Sequence, residues 1–134
     1  MKTQVTIISA ENLISPEDNS PINPIIRLLG HSAEDYLIGV TNYINNSSNP
    51  KFNSTFSFDF FRATYLDFCI YNHNFIKPDE LIGIARLKVS EIVPTDLMKI
   101  PINYIRSDSI LSYLTVRFQF ESAPFQKGSC GFFK

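Results

Sequence analysis

Asn49-Pro50-Lys51-Phe52-Asn53-Ser54-Thr55-Phe56-Ser57-Phe58 is a polar turn that runs straight into strict alternation. Asn-Pro opens a turn because proline fixes its own φ and pushes the residue before it into extended backbone. From Thr55 to Phe61, Phe56, Phe58 and Phe60 fall on one face and Ser57, Asp59 and Phe61 on the other, the period of a half-buried strand. Further on, Asn72-His73-Asn74-Phe75-Ile76-Lys77-Pro78-Asp79-Glu80-Leu81-Ile82-Gly83 is a polar loop with an apolar pair in its middle and an apolar run behind it.

The same alternation extends outward from this stretch. Val5, Ile7, Ala10 and Leu13 mark a first strand that enters a loop, and Pro16 to Pro24 is an irregular segment rich in Pro, Asn, Asp and Ser. Ile25 to Leu29 predicts a short strand closed by Gly30, and Tyr36 to Ile44 a longer one ending in the polar turn Asn45 to Asn49. Tyr65 to Tyr71 leads into the Asn72 loop, and Leu81 to Val89 follows, with one helical turn in Val89-Ser90-Glu91-Ile92. Ile100 to Ile105 is a seventh strand. In Leu111 to Phe120, the eighth, Leu114, Val116, Phe118 and Phe120 oppose Tyr113, Thr115, Arg117 and Gln119. Strands of this length and spacing predict an all-β fold, an eight-stranded antiparallel sandwich.

Composition bounds the function. With 134 residues, 44% of them hydrophobic and 19% charged, the chain has a globular composition and enough length for one well-buried domain. A net charge of -1 gives no electrostatic case for nucleic acid. No run approaches the ~20 apolar residues that cross a bilayer, and Met1-Lys2-Thr3-Gln4-Val5 enters the first strand without room for a leader. The expectation is a cytoplasmic protein, at most peripheral to a membrane or the cytoskeleton. The triplets at Asn45, Asn46 and Asn53 are then not glycosylated. Cys69 and Cys130 lack metal-ligand spacing, and Cys69 in its apolar run is expected to be a buried free thiol.

The two quoted stretches resemble the middle of a C2 domain, in which Asn-Pro-x-aromatic-Asn-x-x-Phe-x-Phe precedes a calcium loop of the form Asp-x-Asp…Asp-aliphatic-Ile-Gly. Val5-x-Ile7-x-x-Ala10-x-x-Leu13 is similar to that family's first strand. Asn23-Pro24-Ile25-Ile26-Arg27-Leu28 is similar to its Asp-Pro-Tyr-Val-x-Val, and Thr41 matches a threonine often found before the Asn-Pro turn. The resemblance covers about Val5 to Phe120 and implies the second of the family's two circularly permuted topologies, that of phospholipase C delta. It divides the chain into a C2-like domain at 1–122 and a C-terminal tail at 123–134.

The resemblance also implies where function would sit. The family's calcium-binding aspartates correspond to Glu17 or Asp18, to Asn23, and to Asn72, Asn74 and Glu80, so most of these positions are neutral here. Calcium needs six to eight oxygens and loses affinity with each anionic ligand removed. The expectation is weak calcium at most, with no other cofactor and no metal. Asn72, His73 and Asn74 are read instead as loop-shaping residues, because Asn tolerates left-handed backbone and caps its own turns.

Phe75 and Ile76 fall at the loop tip, where family members insert into lipid. Burying both would contribute about 3–6 kcal/mol, no more than one marginal acyl anchor. The family's lysine-rich concave face corresponds to Glu34 to Ile44, which contains no Lys or Arg. In the tail, Phe125, Phe132 and Phe133 either dock on a partner or cover the sandwich's own edge.

No catalytic group is expected. Cys69 with His73 and Asn72 is not read as a nucleophilic site, since a thiol on a strand inside an apolar run disfavours its thiolate. The sequence therefore predicts a calcium-insensitive docking module, without an attached catalytic domain, for a protein partner or larger assembly, with phospholipid as an additional surface. The competing expectation is a calcium-dependent, phospholipid-binding peripheral membrane adaptor.

Overall fold

In a computed structural model, which describes residues 2–94 and 96–121, the described residues form nine strands and one short 3-10 turn. The strands are β1 (Lys2–Glu11), β2 (Pro24–His31), β3 (Asp35–Val40), β4 (Lys51–Asp59), β5 (Tyr65–Asn72), β6 (Glu80–Lys88), β7 (Leu97–Pro101), β8 (Asn103–Tyr104) and β9 (Tyr113–Phe120). One sheet has the order β4-β1-β9-β7 and the other β3-β2-β5-β6-β8. The helical turn falls at Val89–Glu91, within the stretch expected. The all-β antiparallel sandwich is therefore as the alternation predicts.

Alternation drives the packing because successive side chains on a strand point to opposite faces. From the four-stranded sheet Val5, Ile7, Phe58, Leu114, Val116 and Phe118 enter the core, and from the five-stranded sheet Ile26, Leu28, Leu66, Phe68, Ile70 and Leu87. Phe58 and Phe118 meet edge to face, with ring centroids 6.3 Å apart. In β1 the register against both neighbours slips between Ile7 and Ser9. This bulge is why Ala10, and not Ser9, is the next buried residue after Ile7.

Three expected boundaries move. The strand expected over Ile100 to Ile105 is two strands, β7 in one sheet and β8 in the other. Ile100, Ile102 and Tyr104 are all buried, since both sheets face one core and the chain can change sheet without breaking the alternation. This accounts for nine strands where eight were expected.

The strand expected over Tyr36 to Ile44 stops at Val40. There the buried Thr41 closes the ladder itself, its N–H donating to Ile26 O at 2.9 Å and its Oγ1 accepting from Ile26 N at 3.0 Å. The third change is at β4, which starts at Lys51 and not at Thr55. Asn53 there adopts φ 49°, opposite the β1 bulge. Asn is one of the few residues that visits this region at little cost.

Gly83 lets β8 join its sheet. A Cβ at this position would stand 2.9 Å from the backbone oxygen of Asn103, the residue that begins β8.

Candidate functional site

Strand pairing brings the loops together. Pro24 pairs with Asn72 and Asn72 with Glu80, so the start of β2, the end of β5 and the start of β6 lie side by side. The end of β3 joins them through Arg27 and Val40. Glu11 opposite Tyr113 brings the end of β1 and the start of β9 to the same end. The connections 12–23, 41–50, 73–79 and 105–112 thus share one end of the sandwich.

At the base of these loops the polar side chains bond to backbone groups of neighbouring connections. Asn72 Oδ1 accepts from Asn23 N at 2.9 Å, Asn23 Oδ1 accepts from Asn46 N at 2.7 Å, and Asn23 Nδ2 donates to His73 O at 3.4 Å. Asn74 Nδ2 donates to Pro78 O at 3.1 Å, while its backbone N–H donates to Asp79 Oδ1 at 3.0 Å. That backbone bond, followed by the contact with His73, holds the Asp79 carboxyl below its usual pKa.

Asn23, Asn72 and Asn74 therefore shape the loops. They do so through side-chain hydrogen bonds to backbone groups, and not through left-handed backbone, the other means the sequence suggested. Among the described non-glycine residues, positive φ belongs to Asn12, Asn19, Asn46 and Asn53.

The acidic candidates are also engaged. Asp18 Oδ1 accepts from Ser20 Oγ at 2.6 Å and from Ser20 N at 3.0 Å, and these bonds lower its pKa. Arg106 Nη1 donates to Glu17 Oε2 at 2.9 Å and stands 3.9 Å from Glu80 Oε2. Arg106 is a residue of this loop end that sequence reasoning missed. It lies 89 positions from Glu17, and no local pattern relates them. Among the described residues no group of three or more His, Cys, Asp and Glu is arranged to hold a metal ion.

The tip differs from the base. Ile76 is 101% exposed and Phe75 67% exposed. Phe75 does not leave its loop altogether: its ring meets His73 edge-on at 4.9 Å and Tyr43 at 5.4 Å, and Tyr43 stacks on His73 at 4.6 Å. This aromatic support under an exposed pair holds the tip outward.

Cys69 is buried and free, and burial pushes its thiol up to about 11, so at neutral pH it is a thiol and not a nucleophilic thiolate. Phe125, Phe132, Phe133 and the boundary at 122/123 lie outside the described residues. No helix among the described residues is long and apolar enough to cross a membrane.

A sandwich with its loops gathered at one end defines the class of protein. The family model described as "C2 domain" matches residues 1–102. The chain belongs to the C2 domain family, whose members dock on membranes or proteins.

The fold is shared with solved structures. A C2 domain of plant extended synaptotagmin 1 superposes with TM-score 0.67 at 16% identity, over 91% of this chain and 96% of that one. Human GIVD cytosolic phospholipase A2 superposes with TM-score 0.67 at 21% identity, over 91% of this chain but 17% of that one. A C2 domain-containing protein from a putative elicitor-responsive gene gives TM-score 0.64 at 18% identity, over 96% and 93%. At these identities the likeness is one of fold. No curated protein matches the chain in sequence.

Proposed function

We propose that this chain is a non-catalytic docking module that works without calcium and binds a protein partner or larger assembly, with phospholipid contact as a lesser contribution. One observation carries this. The side chains at the loop base are spent on neighbouring backbone groups and on Arg106, whereas Phe75 and Ile76 face solvent. A calcium ion would have to displace Arg106 from Glu17 and Glu80 and break the hydrogen bonds of Asn23 and Asn72. The remaining ligands would be mostly neutral oxygens, which bind calcium weakly.

Lipid is the lesser partner because strand β3, Asp35–Val40, carries no Lys or Arg. Each such residue near an anionic surface would add about 1 kcal/mol of attraction. The family's second topology fits this chain, supported by β1 leading into the first loop and pairing with both β4 and β9.

The test is recovery of partners from native cells with and without a calcium chelator, beside sedimentation with neutral and anionic vesicles. The proposal expects chelator-independent recovery, abolished by Phe75→Ala with Ile76→Ala, and weak vesicle binding that is indifferent to salt. Strong anionic-vesicle binding that appears only with calcium would establish instead the membrane adaptor. We assign Phe125, Phe132 and Phe133 to partner contact as well. Deleting 123–134 should then leave thermal stability nearly unchanged, whereas a loss of roughly 3–5 kcal/mol would mean that they cover the sandwich's own edge.

A further inference from the structure

The outer face of the five-stranded sheet holds a polar constellation that the loop end does not use. Pairing sets Asp67 of β5 between Leu29 of β2 and Arg86 of β6, and sets His31 of β2 opposite both Asp35 of β3 and Tyr65 of β5. Asp67 is only 3% exposed, an unusual state for a carboxylate. Arg86 compensates it with a two-pronged contact, Nε to Oδ1 at 2.7 Å and Nη2 to Oδ2 at 2.8 Å. His31 Nε2 lies 2.5 Å from Asp67 Oδ2, and its Nδ1 contacts Asp35 Oδ1.

Ionised carboxylates only accept hydrogen bonds, so both contacts are attractive only if both ring nitrogens carry protons. In this geometry His31 is an imidazolium. Burial opposes its charge, but the hydrogen bonds to Asp35 and Asp67 outweigh that and raise its pKa above the ordinary 6.5. Burial likewise opposes charge on Asp67, where Arg86 and then His31 win and lower the carboxyl.

We propose that His31 is a proton-operated latch on edge strand β3: as imidazolium it ties Asp35 to the buried Asp67–Arg86 pair, and loss of one proton releases Asp35 and opens that end of the β2–β3 hairpin. The remaining proton stays on Nε2, because losing one of its donors costs the buried Asp67, which keeps Arg86, more than it costs the exposed Asp35. The Nδ1 lone pair then faces the Asp35 carboxylate, and an attraction becomes a repulsion.

Among the described residues, strand β3 pairs with β2 alone in its sheet, so none of them holds it across its other edge in that sheet. The other charged groups around the ring come from each neighbouring element. Glu34 lies in the hairpin turn and Arg27 further along β2. From β6, Arg86 lies 5.2 Å from the Tyr65 ring, and Lys88 pairs opposite Tyr65. Arg62, from the β4–β5 connection, lies over the Tyr36 ring on the inward side of β3. Because the folded-state pKa is raised, the latch is fully closed below the ordinary imidazole value. It is lost as pH rises through the folded value. What it controls is the order of Leu37, an apolar residue that β3 exposes next to that end. This inference does not rest on the docking proposal.

The test is an NMR titration of both histidine rings in the full chain from pH 5 to 9, with amide exchange of 35–40, corrected for intrinsic rates. His31 should titrate above the ordinary imidazole value, and protection of β3 should fall several-fold as it does. Asp35→Asn should lower the His31 titration point and flatten the pH dependence of β3 exchange. His31→Gln should leave β3 weakly protected at every pH. A His31 titrating at or below the ordinary value, β3 protection indifferent to its titration, or pH dependence retained in Asp35→Asn would each overturn the latch.

Discussion

The base and the tip of the loop end are built from the same few connections, yet they treat their side chains in opposite ways. At the base, Asn23, Asn72 and Asn74 direct their side chains to neighbouring backbone groups, and Glu17 and Glu80 flank Arg106. At the tip, Phe75 and Ile76 present apolar surface to water, supported from below by His73 and Tyr43. A half-buried polar group left without a partner costs more than an exposed apolar one, so the base is a scaffold with little freedom to take another ligand. Among the described residues the tip makes ring contacts only through Phe75, and Ile76 is left open to a partner.

The largest expected effect of substitution is therefore at the base. Asn23→Ala removes the acceptor for Asn46 N and the donor to His73 O, which together join the 12–23, 41–50 and 73–79 connections. It should lower stability by about 1–2 kcal/mol, visible as a fall of several degrees in Tm. A Tm within a degree of the wild type would show that the base is not a cross-linked scaffold.

Arg106→Ala comes next. Its pairs with Glu17 and Glu80 join exposed side chains, so the loss in chemical denaturation should stay below about 1 kcal/mol. The same variant asks whether Arg106 masks a latent site. It should gain no calcium-specific stabilisation, because Asn23, Asn72 and Asn74 still supply no charge; a gain at micromolar calcium would assign Arg106 a gating role. The smallest effect on stability is expected at the tip. Phe75→Ala with Ile76→Ala should change the unfolding free energy by no more than about 0.5 kcal/mol, although it should remove partner binding. A clear loss of stability would mean that the tip is part of the packing.

Much of the fold was legible because alternation survives wherever a strand has one buried face, as in Leu114, Val116 and Phe118. It failed where both choices look alike to a period of two. Ile100, Ile102 and Tyr104 stay buried across the change of sheet, so the sequence reads as one strand. The end of β3 was illegible because Thr41 stops the ladder with a side-chain bond to Ile26, a long-range event without a local signature. At the site, the neutral Asn positions were evident by eye, and so was the Phe75–Ile76 pair. Arg106 and the Asp67 cluster were not. Each depends on residues far apart in sequence meeting across loops or strands.

Thermal unfolding in calcium against matched magnesium is the most direct check on whether the loop end works without calcium. Saturation at 100 times the dissociation constant would add about 2.7 kcal/mol to a protein that binds in the folded state alone, a shift of several degrees for a domain of this size. The loop geometry leads us to expect melting curves in millimolar calcium and magnesium that superimpose. A calcium-specific rise in Tm at micromolar concentration would contradict it, and would mean that Arg106, Asn23 and Asn72 give way to the ion.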